Sequence, residues 1–205
     1  NVTIMLTMAE QVMLFLEKSL VFILICSSIN LTHSYIIDMV MMKELTLGSF
    51  NVRGLSSQVK KNQLTTDMKT RNIDICCLQE TKMKAGVDIT VGESRLICFP
   101  TTVTAYGMGF YINSKWTKHI YKYWSVNDRI AKIQFYIKID ENDIKKQKEI
   151  KTIVNIYAPH TRRIQKDNTE LHDLYIELGN LLNILDKQSK LLLIAGDFNA
   201  KIGKR

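Results

Sequence analysis

Proline occurs twice and glycine nine times in 205 residues, so no polyproline, collagen-like or glycine-rich linker divides the chain. Four cysteines are present, Cys26, Cys76, Cys77 and Cys98, without CxxC spacing and without a zinc-binding Cys/His pattern. That excludes a cysteine-held metal domain and a disulfide scaffold. The thiols read as small buried side chains in a reducing compartment, nucleus or cytoplasm rather than a secreted setting. No internal repeat occurs. No run approaches the roughly 20 apolar residues that span a bilayer. The most apolar stretch, residues 20–26, is bounded by Glu17 and Lys18 and by Ser27 and Ser28, so a membrane is not an expected partner. Hydrophobic residues make up 46% and charged residues 23%, which excludes disorder and leaves enough apolar surface for one core.

The net charge of +8 is unevenly placed. Residues 1–44 hold two basic and four acidic side chains, so residues 45–205 hold 26 against 16. A basic surface favours an acidic partner such as nucleic acid. Residues 1–44 read as an upstream hydrophobic extension, with a packed helix and a signal or anchor segment as alternatives. Residues 45–205 read as the functional domain.

Within that domain, hydrophobic spacing predicts strands over 45–50, 73–78, 95–99, 107–112, 119–124, 129–139, 150–157 and 190–195. Helical spacing covers 58–71 and 168–185, the latter with a leucine stripe. Residues 129–139 alternate strictly, with Lys132 and Gln134 on a side expected near solvent and Ile133 and Phe135 on the core side. Cys76 and Cys77, adjacent in a strand, point to opposite faces. Several strands run consecutively between helices, which indicates α+β or a mixed-sheet sandwich rather than a βαβ array.

Four polar residues follow apolar runs: Asn51, Glu80, Asp197 and Asn199. Strand ends are where open sheets hold ligands. Carboxylates and carboxamides without a His/Cys cluster suit a hard ion, Mg²⁺ or Mn²⁺, which takes one or two carboxylates plus water and substrate phosphates.

The blocks Gly48-Ser-Phe-Asn-Val-Arg-Gly54, Leu78-Gln-Glu-Thr-Lys82, Asn155-Ile-Tyr-Ala-Pro-His160 and Gly196-Asp-Phe-Asn-Ala200 stand in this order. Together they resemble the endonuclease/exonuclease/phosphatase family, most closely the apurinic-endonuclease-like nuclease domains of non-LTR retrotransposons. The resemblance covers 45–205 and none of the first 44 residues. It implies an α/β (α+β) fold, a four-layered sandwich of two mixed β-sheets flanked by helices. It implies Glu80 as the metal carboxylate with Asn51 beside it, Asp197 on the attacking water, and Asn199 and Tyr157 on the phosphate. Arg129 resembles the arginine opening the family's central strand, and Arg129 and Arg53 are the candidates for substrate contact. Further basic residues in loops, among them Lys60, Lys61, Lys82, Lys84, Lys115, Arg162, Arg163 and Lys166, are candidates to neutralise DNA phosphates.

The family's Ser-Asp-His-type block would fall after Arg205. The resemblance therefore implies a domain truncated at its C-terminus, with the strand over 190–195 left with an unpaired edge. His160 reads as a loop residue. Three readings result: a Mg²⁺-dependent DNA endonuclease of retroelement origin, a phosphatase or phospholipid phosphodiesterase of the same fold, and a non-catalytic relic. DNA is the expected partner and no small organic cofactor is expected.

Overall fold

The computed structural model describes residues 4–5, 13–14, 21–26, 34–39, 42–138, 148–160, 169–185 and 191–199. Side chains are described for 45–136, 150–160, 169–185 and 193–199. The last residue of the strand expected over 129–139 and the basic residues Arg162, Arg163 and Lys166 lie outside the described residues.

The strands are β1 (Ile4–Met5), β2 (Met13–Leu14), β3 (Val21–Cys26), β4 (Ser34–Met39), β5 (Met42–Asn51), β6 (Ile75–Gln79), β7 (Val87–Val91), β8 (Ser94–Cys98), β9 (Met108–Ile112), β10 (Ile120–Ser125), β11 (Ile130–Lys138), β12 (Lys148–Tyr157) and β13 (Leu191–Asp197). The helices are α1 (Gln58–Thr70), α2 (Ser114–Thr117) and α3 (Thr169–Leu185). The Ser57 hydroxyl caps α1 by accepting from the Lys60 N–H.

Among the described residues, strands β1 and β2 form a two-stranded sheet of their own. The others form a six-stranded sheet ordered β4-β5-β6-β9-β8-β7 and a five-stranded sheet ordered β10-β11-β12-β13-β3. Each sheet is mixed. β5 and β6 are parallel in the first, and β12, β13 and β3 are parallel in the second, with the remaining pairs antiparallel.

The strands alternate as the sequence implies, and each sheet buries two faces. Leu47, Ile75, Cys77, Phe110 and Ile112 meet Ile133, Phe135, Ile153 and Leu193 between the sheets. Cys76, Leu78, Leu96 and Tyr111 on the outer face of the first sheet pack on Leu64 and Met68 of α1. Ile130, Val154, Ile156 and Ile194 on the outer face of the second pack on Leu174, Leu178, Leu181 and Leu185 of α3. The layers run helix, sheet, sheet, helix.

Three sequence expectations change. The polar side of β11 does not face solvent, since Lys132 and Gln134 are both buried. Gln134 donates to the Thr152 hydroxyl, and the Lys132 ammonium lies 3.7 Å from the Trp124 ring centre. Burial lowers the Lys132 amine to about 8. The strand over 190–195 has no open edge, because the backbone of β3 runs parallel along it from Leu192↔Val21 to Asp197↔Cys26. That segment, Val-Phe-Ile-Leu-Ile-Cys, is rich in strand-favouring residues, and pairing satisfies backbone groups that an edge would leave open. Finally, β7 is a strand that the spacing did not indicate. Among the described residues it pairs with β8 alone, through a turn at Gly92 (φ 63°).

Candidate active site

Two parallel pairs define one rim. Asn51 and Gln79 are register partners at the ends of β5 and β6, and Tyr157 and Asp197 are register partners at the ends of β12 and β13. The pairs pack against each other across the sandwich, β13 on β5 and β6, and β12 on β6. Four C-terminal strand ends from two sheets thus open at the same place. Gly196 permits the last step of β13: a Cβ there would stand 2.0 Å from the Ile156 carbonyl oxygen.

Beneath the rim a buried polar network joins the sheets. The Gln79 amide donates to Asn155 Oδ1 (2.7 Å), to the Ser49 hydroxyl (3.1 Å) and to the Cys77 carbonyl (3.1 Å). Asn155 Nδ2 donates to the carbonyls of Leu78 (2.9 Å) and Gly109 (3.0 Å). Both side chains are fully buried. Such a network is satisfied only in one alignment of the sheets, so it sets the height of Glu80 against Tyr157. Asn155→Leu takes the shortest acceptor contact from the Gln79 amide and removes the two bonds donated to the Leu78 and Gly109 carbonyls. A buried group left unsatisfied costs about 1–3 kcal/mol. Urea unfolding should show a loss in that range or above. A loss below about 0.5 kcal/mol, the scale of an ordinary surface change, would contradict the network's role.

Of the proposed site residues, Asn51, Glu80, Tyr157, Asp197 and Asn199 come together. Asn51 Nδ2 donates to Glu80 Oε1 at 2.8 Å and to Asp197 Oδ2 at 3.3 Å. The Tyr157 hydroxyl donates to the same Glu80 oxygen at 2.7 Å. Lys82 Nζ stands 3.1 Å from Glu80 Oε2. The Asn199 N–H donates to Asp197 Oδ1 at 3.0 Å, and one Asn199 amide proton goes to the Ala158 carbonyl at 2.7 Å. The backbone is strained here. Among the described residues, five non-glycine positions have positive φ, and Arg53, Glu80, Lys82 and Asn199 are four of them. Strain of this kind collects where surrounding structure over-determines a functional geometry.

The two carboxylates differ in acidity. Partial burial pulls Glu80 upward, but hydrogen bonds from Asn51, Tyr157 and Lys82, with the Lys82 charge, hold it below its ordinary value. Asp197 is 4% exposed. Burial raises its carboxyl and the Glu80 charge adds to the rise, against the Asn199 and Asn51 hydrogen bonds and the His160 imidazole. Tyr157 is raised by burial and by its bond to Glu80, so it remains a phenol that donates.

Among the described residues no group of three or more His, Cys, Asp or Glu side chains gathers. The donor set here is of another kind, two carboxylates and a carboxamide, all able to offer oxygen, with the Tyr157 phenol donating a proton beside them. A hard divalent ion fits it. The carboxylates are close enough for one to raise the other, and the cation nearest to Glu80 is the half-exposed Lys82. Asn51 now presents its NH₂ to both acids, and its oxygen accepts from the Arg53 N–H (3.2 Å). As a ligand it would turn its amide over.

Arg129 is placed differently from a substrate contact. Its guanidinium is buried behind Tyr157, donating to the Tyr157 carbonyl (3.1 Å) and to Glu170 (3.2 Å). Arg53 is exposed at the rim. Lys61 is buried, and Lys115 pairs with Asp74 at the opposite end of β6 from Glu80, so neither serves this rim. His160, expected to be a plain loop residue, is near enough to Asp197 to lower its carboxyl. Its spacing from Tyr157, three residues past a strand end, was the available signal. Gln79, Asn155 and Glu170 carry no sequence signal for the site, because their roles exist only through partners distant in sequence.

Residues 48–203 match the model of the Endonuclease/Exonuclease/phosphatase family. No curated protein matches the chain. Among solved structures it is similar to the human Nocturnin catalytic domain with bound sulfate anion, at 15% identity and a TM-score of 0.45 over 77% of this chain and 64% of that one. It is also similar to truncated Caenorhabditis elegans TDP2, at 12% identity and a TM-score of 0.47, again over 77% and 64%. The chain spans just under two thirds of each.

Proposed function

The chain belongs to the Endonuclease/Exonuclease/phosphatase family, and from that premise we propose that it is a divalent-metal-dependent phosphodiester hydrolase that cuts DNA. The observation that carries this reading is the Asn51 amide. It reaches Glu80 and Asp197 together and so joins a metal-type carboxylate to a base-type carboxylate across the sheet sandwich.

Each residue has a distinct task. Glu80, held ionised by three donors, is the carboxylate that would hold Mg²⁺ or Mn²⁺, with Asn51 beside it. The ion's contribution is positive charge on the phosphate oxygens. Asp197 is the base: its raised pKa makes it a better proton acceptor than an ordinary carboxylate. It takes a proton from water as the water oxygen bonds to phosphorus, and the P–O bond to the leaving deoxyribose oxygen breaks in line, that oxygen taking up a proton from solvent. Asn199 and Tyr157 are amide and phenol donors on the phosphate side, where preorganised donors stabilise developing charge. Arg53, exposed at the rim, and the surplus of basic over acidic residues past residue 44 favour a polyanion over a small phosphate ester.

Within this reading the functional residues lie in 45–205, and the segment before them adds β3 and β4 to the two sheets. The four sequence blocks support descent from a non-LTR retrotransposon nuclease. A reverse-transcriptase frame downstream in the genome would support that origin, and its absence would count against it.

The substrate is tested by offering plasmid DNA and a small phosphate monoester, each with Mg²⁺. The reading predicts DNA cleavage that weakens steeply with added salt, and little monoester turnover. Monoester turnover without DNA cleavage would transfer the chain to the phosphatase branch. Mg²⁺ binding without turnover of either would mark it as a non-catalytic relic.

A further inference from the structure

We propose that Glu170, in the first turn of α3, is a positioning residue for this hydrolysis, acting through Arg129 and Tyr106 to hold Tyr157 against Glu80. The inference rests on the preceding reading of the site.

Glu170 uses both carboxylate oxygens. Oε2 accepts from Arg129 Nη2 at 3.2 Å, and Oε1 accepts from the Tyr106 hydroxyl at 3.3 Å. The residues it grips enclose Tyr157. The Arg129 guanidinium carbon lies 4.0 Å from the centre of the Tyr106 ring and 5.4 Å from that of Tyr157. The two tyrosine rings meet edge to face, with centres 6.1 Å apart and planes at 70°. Arg129 also holds the Tyr157 backbone on both sides: its carbonyl accepts the Tyr157 N–H at 2.8 Å, and its side chain donates to the Tyr157 carbonyl. The phenol of the enclosed ring then reaches Glu80 at 2.7 Å.

The chemistry gives Glu170 leverage out of proportion to its exposure. Its own side chain is 48% exposed, so as a surface ion pair it would contribute little stability. Its partner Arg129 is only 10% exposed, and a guanidinium taken that far from water needs a counter-charge to keep one orientation. Tyr106 comes from the loop before β9, Arg129 from the start of β11 and Glu170 from α3, so the carboxylate ties three separate elements into the wall behind Tyr157. An acid in the first helical turn also has a simpler use, pairing with the helix dipole. That use affects helix stability and does not involve Tyr157.

The experiment separates the two. Glu170→Ala should lower kcat about tenfold, the lower end of what outer partners of a site cost, with KM and Tm nearly unchanged. Glu170→Gln can still accept from Arg129 through its amide oxygen while its NH₂ donates to the Tyr106 hydroxyl oxygen, but it lacks the charge, so it should recover part of kcat. In a Tyr157→Phe background, Glu170→Ala should change kcat by less than about twofold, since residues acting as a unit are not additive. A readout independent of turnover accompanies these: ¹⁹F spectra of protein carrying 3-fluorotyrosine at its eight tyrosines, with the Tyr157 signal assigned by its loss in Tyr157→Phe. Glu170→Ala should shift or broaden that signal, and Glu170→Gln should bring it part of the way back. An unmoved Tyr157 signal, or a full tenfold loss in the Tyr157→Phe background, would overturn the proposal. Absence of hydrolysis in the unsubstituted protein would sink the reading of the site instead, and the spectra would still decide whether Glu170 positions Tyr157.

Discussion

Asp197→Asn should slow Mg²⁺-dependent DNA cleavage by about 10²–10⁴-fold, the range of a general base, and should raise the Tm of the ion-free chain at neutral pH. The two effects have one cause. Asp197 is buried at the end of β13, where burial and the Glu80 charge raise its carboxyl above the ordinary value. A group raised in the folded state contributes stability that is fully present below its unfolded value and is lost as pH rises through the folded value. Asparagine resembles the protonated acid at every pH. The Tm advantage of the variant should therefore be absent below about pH 4, the ordinary Asp value, and should open as pH rises past it. Thermal unfolding in EDTA across that window measures this. A variant that unfolds earlier than the parent at neutral pH would show that Asp197 is not under the strain described.

Glu80→Gln should have the opposite sign on stability and a comparable loss of activity. Glu80 is held below its ordinary value by donors from Asn51, Tyr157 and Lys82. A lowered group contributes stability present above its unfolded value and lost as pH falls through the folded value. Glutamine removes the charge that those donors solvate, so ion-free Glu80→Gln should melt earlier than the parent at neutral pH, with the gap closing in acid. Removing one carboxylate from a site that offers two should weaken Mg²⁺ by at least about tenfold, as measured by isothermal titration. Cleavage should fall to near background, while circular dichroism remains that of the folded chain. Unchanged Mg²⁺ affinity would remove Glu80 from the metal site.

The residues of this rim were legible in the sequence for a physical reason. Asn51, Glu80, Asp197 and Asn199 each follow an apolar run, and a run that ends in a polar residue marks a strand leaving the core. Parallel pairing then puts such ends on one side, as β5 with β6 and β12 with β13 show. Helices α1 and α3 were legible too, the latter because its leucine spacing has no strand interpretation, whereas the four-residue α2 was not. What the sequence could not reveal depends on partners far along the chain. The polar side of β11 looked solvent-facing because alternation reports the two faces of a strand and not what covers them. Trp124 and Thr152 give Lys132 and Gln134 partners inside the fold. Strand β7 was hidden because Asp88 and Thr90 dilute its pattern. Asp88 instead accepts from Arg95 of β8 and from the Tyr123 hydroxyl of β10. The Gln79–Asn155 bond spans 76 residues and the Arg129–Glu170 bond 41, so no local pattern encodes either.

Nicking of supercoiled plasmid by the purified chain, followed as Mg²⁺ is titrated in, removed with EDTA and added back, tests the central claim most directly. The account predicts nicking that rises with Mg²⁺, stops in EDTA, returns with excess Mg²⁺ and is lost in both Asp197→Asn and Glu80→Gln. Nicking that persists in EDTA or survives both substitutions, or a parent chain that binds Mg²⁺ at Glu80 and cleaves no DNA at any concentration, would contradict it.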